Sequence, residues 1–110
     1  MKYFIYDHER INTGYHEFQK GRFDGQTFWK NDSISLSDDL LVSLNLESLL
    51  VNVIPNYTTY SEFEIDTKLW NEIMLKAQQI GGEVLDCILE ANEWVKNTYL
   101  EYDVFTIIGV

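Results

Sequence analysis

Val104-Phe105-Thr106-Ile107-Ile108 is a nearly continuous apolar run rich in β-branched side chains. Such a run fits a strand buried on both faces. The stretch before it reads as helix. Leu69, Trp70, Ile73, Met74, Ala77 and Ile80 recur at helical spacing behind Asp66, a suitable N-cap, and Gly81-Gly82 ends that element. Another helix is expected from about Glu83 to Tyr99, with Val84, Leu85, Ile88, Leu89, Val95 and Tyr99 on its core side. A strand that closes a chain after successive helices needs strands laid down earlier, and the N-terminal half supplies them.

Lys2 to Asp7 is aromatic and β-branched and reads as an opening strand. Gln26–Lys30 and Ser33–Leu36 flank a turn at Asn31-Asp32 and read as a hairpin, while residues 8–25, with three glycines, read as a long loop or loose hairpin. Ser37 caps a helix whose first turn holds Asp38 and Asp39, where the helix dipole favours negative charge. Leu40, Leu41, Leu44, Leu49, Leu50 and Val53 give that helix its apolar side, and it stops before Pro55. Tyr60 to Ile65 alternates Tyr60, Glu62 and Glu64 against Ser61, Phe63 and Ile65, a short strand with one acidic face. The expected fold is α+β: one antiparallel or mixed sheet of about four to five strands, with about three helices packed mainly on one face. Residues 1–110 form a single domain on this reading.

Charge narrows the function. The chain has 110 residues, 18 acidic against 8 basic, and a net charge of −10. No Lys or Arg lies between Lys30 and Lys68, an interval that holds seven carboxylates. Nucleic acid and anionic membrane would be repelled, so neither is expected as a direct partner. A basic protein would be attracted.

Chemistry-bearing motifs are sparse. Cys87 has no second cysteine to pair with and reads as a small buried hydrophobe. With one Cys and two His, a four-ligand zinc site is not expected, and the Asp38-Asp39 pair lacks the spacing of an EF-hand loop. His8 and His16 read as surface residues of the loop region. Gly21-Arg22-Phe23-Asp24-Gly25 lacks the lysine of a P-loop. No enzyme, cofactor or metal is therefore expected. No cleavable leader or ~20-residue apolar span is evident, so the expected location is the cytoplasm.

Two stretches stand out as candidate contact surfaces. In the last helix Glu83, Asp86, Glu90, Glu93 and Asn97 fall within an arc of roughly 80°, with Trp94 at its edge. The preceding helix mixes its charges as Lys68, Glu72 and Lys76, whereas here only Lys96 is in reach. The second stretch is Tyr57, Tyr60, Glu62, Glu64 and Asp66, acid and aromatic with no basic residue beside them. Carboxylates accept bidentate bonds from arginine, and tyrosine offers rigid contact area. The alternatives are a solvated helix face and an edge strand whose charges discourage aggregation.

In size, charge and these acid-and-aromatic stretches, Tyr57–Asp66 and Glu83–Trp94, the chain resembles the small acidic immunity proteins of bacterial toxin–immunity systems, including contact-dependent growth inhibition. Those proteins share no common motif, so no residue role is carried over by position. The resemblance implies that the chain binds a cognate basic toxin, often a nuclease, and covers its active or substrate-binding surface. Two other readings stay open: a small enzyme or ligand-binding domain with a pocket between sheet and helices, lined by Trp29, Tyr57 and Trp70, and a self-associating regulatory subunit, for which a homodimer is possible.

Overall fold

The computed structural model describes residues 1–109. Five strands form one antiparallel sheet: β1 (Phe4–Tyr6), β2 (Tyr15–Lys20), β3 (Ile34–Ser37), β4 (Glu62–Asp66) and β5 (Val104–Ile108), in the order β1-β3-β2-β5-β4. Among the described residues four α-helices accompany it: α1 (Asp38–Ser43), α2 (Leu46–Val53), α3 (Thr67–Ile80) and α4 (Gly82–Tyr99). The fold is α+β. β5 lies between β2 and β4, all five of its residues are buried, and Phe105 packs against the rings of Trp70, Trp94 and Tyr99.

The N-caps fall where the side chains allow them. Ser37 Oγ accepts from Leu40 N–H, and Asp66 Oδ1 accepts from Leu69 N–H. Between α3 and α4 the chain turns at Gly81, whose φ of 71° belongs to the region where a Cβ is penalised.

Three expectations need correction. The segment 38–53 is two helices, because Asn45 adopts the left-handed conformation with φ 54° and breaks the first one. Asparagine tolerates that conformation better than most residues. Within residues 8–25 lies β2, a central strand and no loop. Its His16 and Phe18 point to the helices, and its Glu17 and Gln19 point to the other face, with all four buried. Gln26–Lys30 is not a strand. It belongs to a strap, residues 21–33, that crosses the second face of the sheet. Gln19 Nε2 donates to the Thr27 carbonyl at 2.7 Å, and Thr106 Oγ1 donates to the Gly21 carbonyl at 2.8 Å. Trp29, on the strap, takes a φ of 60° and lies under the Arg10 guanidinium at 4.0 Å.

Glu17 anchors the strap. Its carboxylate is 1% exposed and accepts from Trp29 N–H, Lys30 N–H and Ser33 Oγ–H at 2.7–3.0 Å. A buried carboxylate is tolerated only when its oxygens are bonded in this way.

Candidate partner-binding surface

The ten residues singled out by charge and aromaticity divide sharply once placed. On α4, Glu90 is not a free surface acid. Its Oε1 accepts from Tyr3 N–H at 2.9 Å and Phe4 N–H at 2.8 Å, and its Oε2 from Lys2 N–H at 2.9 Å. It binds the start of β1 to the helix layer. Trp94 is also occupied: its ring packs edge-on against Phe105 and Phe18, and its Nε1 donates to the Asp32 carbonyl at 2.8 Å. Glu93 faces Lys96 at 3.8 Å in an exposed pair. Glu83 and Asp86 are exposed and lie in the field of Lys2. The Tyr3 hydroxyl is the main cause of a raised Lys2 pKa, and the two carboxylates add to it.

The other stretch behaves differently. Tyr57 is buried, 7% exposed, with its ring 5.1 Å from that of Phe63. Burial pushes its phenol up to about 12, helped by the charges of Glu47 and Asp38, so it is a core residue and no contact anchor. Asp66 is spent on capping α3. Tyr60, by contrast, is 84% exposed, and Glu62 beside it is exposed with no cation within ion-pair distance among the described residues. Glu64 meets Arg22 at 3.3 Å, both side chains largely in solvent. Glu62 and Glu64 line one margin of the sheet, since among the described residues β4 pairs only with β5, and Tyr60 stands in the turn that leads into that strand.

His16 departs from its surface expectation. It is 1% exposed, and its Nε2 lies 2.9 Å from Asp38 Oδ1, so that nitrogen carries the proton the carboxylate accepts. Its Nδ1 has no partner among the described residues. The ring borders an apolar cavity of about 20 Å³, also lined by Phe4, Phe18, Leu41, Trp70 and Ile88, room for about one water. Trp29, Tyr57 and Trp70 do not converge on a common pocket, because Trp29 lies over the opposite face of the sheet. Cys87 is buried, and burial followed by the nearby Glu90 charge pushes its thiol up to about 12, which leaves no thiolate at neutral pH. Among the described residues no three His, Cys, Asp or Glu side chains converge to hold a metal ion, and no helix is long and apolar enough to cross a membrane.

Sequence reasoning missed Glu17 and Glu90 as acceptors of backbone N–H groups. Nothing in their spacing announces it, since the donors to Glu90 lie 86 to 88 residues away. Compared with protein families, with curated proteins and with solved structures, the chain matches none.

Proposed function

We propose that this chain is a protein-binding module for a positively charged protein partner, and that it serves as an immunity protein that neutralises a basic toxin domain in the bacterial cytoplasm. One observation carries the reading: Tyr60, an exposed aromatic in the turn that leads into β4, stands two residues before Glu62, an exposed carboxylate on the open margin of that strand with no counterion among the described residues. An aromatic beside an acceptor of arginine bonds is the composition of an interface anchor. The net charge of −10 supplies the long-range attraction. The α4 stripe contributes field more than contact, since Glu90 and Trp94 are held internally.

Co-expression tests it. The reading requires a basic toxin domain encoded beside this chain, and cells producing that domain should grow when the intact chain is present. They should stop growing when it carries Tyr60→Ala with Glu62→Lys. Absence of rescue by the intact chain refutes the immunity reading, and undiminished rescue by the double variant refutes the site.

A further inference from the structure

The two margins of the sheet are finished differently. In an antiparallel ladder only alternate residues of an edge strand bond to their neighbour, and the rest point their N–H and C=O groups outward. On β1 the outward N–H of Phe4 is accepted by Glu90 Oε1 and that of Tyr6 by Glu9 Oε1 at 2.9 Å. That margin is closed by the chain's own carboxylates.

On β4 the phase of the ladder is fixed by Gly109 N–H, which donates to the Ser61 carbonyl at 3.0 Å. With Phe63 opposite Ile107 and Ile65 opposite Phe105, the residues that bond to β5 are Ser61, Phe63 and Ile65. The outward groups therefore belong to Glu62, Glu64 and, at the start of α3, Asp66; Glu62 and Glu64 carry the carboxylates of the margin that are not used as a helix cap. Backbone donors, backbone acceptors and negative charge coincide on the same two residues.

We propose that the open margin of β4 receives an extended segment of the partner by antiparallel strand addition, with a basic side chain at every second position. This rests on the reading above and narrows it to one docking mode. In strand addition the main chain supplies affinity and alternate side chains supply specificity. A lysine or arginine opposite Glu62 and Glu64 meets each carboxylate across the pair, where opposite charges attract. The residue between them lands beside Phe63, which is half-buried against Tyr57, so it is apolar. The preferred segment reads basic–apolar–basic. A second copy of this chain is the wrong occupant, because pairing β4 with β4 sets carboxylates opposite carboxylates. Arg22 holds Glu64 in an exposed pair, 73% and 45% in solvent, of a kind worth little, so an incoming cation displaces it.

The probe is a blocked nine-residue peptide alternating lysine and valine, titrated into the full chain. With lysines opposite Glu62 and Glu64, the lysine N–H groups face β4 and the valine N–H groups face away. Methylating the two central lysine amides should weaken binding about tenfold, as expected for one or two lost hydrogen bonds. Methylating the central valine amides should leave it within about twofold. Arg22→Ala should tighten the parent peptide about twofold. Equal binding of the two methylated peptides, or no binding of the parent at millimolar concentration, overturns strand addition. The double variant Glu62→Gln with Glu64→Gln separates the two claims. If it weakens peptide binding while the methylated peptides bind alike, the acidic surface stands and the docking mode falls. If it too has no effect, both fall.

Discussion

Replacing Glu90 with alanine should destabilise the fold by about 2–4 kcal/mol, although the residue lies on the solvent-facing stripe of α4. The figure follows from its three bonds. Lys2 N–H is exposed, so water replaces the carboxylate there at little loss. Tyr3 and Phe4 N–H groups are partly buried, and each loses a charged acceptor worth about 1.5–3 kcal/mol. Fraying of the first strand admits some water and pulls the sum below its ceiling. Urea denaturation reads the effect as a lower midpoint at unchanged slope, a drop of about 1–2 M. Glu90→Gln should cost about 1 kcal/mol, because an amide oxygen in place of Oε1 keeps the Tyr3 and Phe4 bonds and only the charge and the Lys2 bond go. Asp86→Ala, on the same stripe and exposed, should stay within about 0.5 kcal/mol of the parent. A Glu90→Ala variant within about 0.5 kcal/mol of the parent refutes the anchoring role. An equal loss in Asp86→Ala would show that the stripe acts through its charge alone.

Two further outcomes follow from the geometry. A Cβ on Gly109 would run into the Thr59 carbonyl oxygen, against backbone that cannot swing away, so Gly109→Ala should cost about 1–3 kcal/mol by overpacking. A thermal midpoint equal to the parent's would contradict that close approach. Asp24 accepts from Thr27 Oγ1–H, Thr27 N–H and Gln26 N–H, which hold its carboxyl down to about 2. Since the folded value lies below the unfolded one, this contribution is present above about pH 4 and is lost as pH falls through about 2. The stability gap between parent and Asp24→Ala, measured by thermal unfolding, should therefore close between pH 4 and 2. A gap constant across that window would rule out the three bonds as its source.

Much of the fold can be read from residue order. β5 announces itself by five consecutive strand formers, α3 and α4 by their periodic apolar faces, and α1 and α3 by Ser37 and Asp66 at their caps. β2 hides because both of its faces are buried while one of them carries Glu17 and Gln19: the Glu17 carboxylate accepts from the strap and Gln19 Nε2 donates to it, so no apolar alternation marks the strand. The strap misleads in the opposite sense. Phe28 and Trp29 have strand composition, yet Trp29 sits at a positive φ that no strand allows. At the site, the exposed Tyr60 and Glu62 are legible from pattern. The engagement of Glu90 and Trp94 is not, because their partners are backbone groups brought near only by the tertiary fold.

That difference bears on how so acidic a molecule meets a cation. Glu9, Glu17, Asp24, Asp66 and Glu90 all accept backbone N–H groups. A peptide N–H satisfies an oxygen locally but carries no net charge, so these bonds leave the total at −10. A lysine or arginine in the same place would have cancelled it. The chain can therefore spend a carboxylate on holding a strand, a strap or a helix end and still keep its contribution to the long-range field. Steering depends on the whole acidic complement and fades with salt over roughly 8–10 Å. Contact depends on the few acids whose oxygens remain free, and those at the open margin of the sheet are Glu62 and, once Arg22 yields, Glu64. On the proposed reading, surplus charge sets how fast a basic partner arrives, while the unpaired margin of β4 sets where it stays.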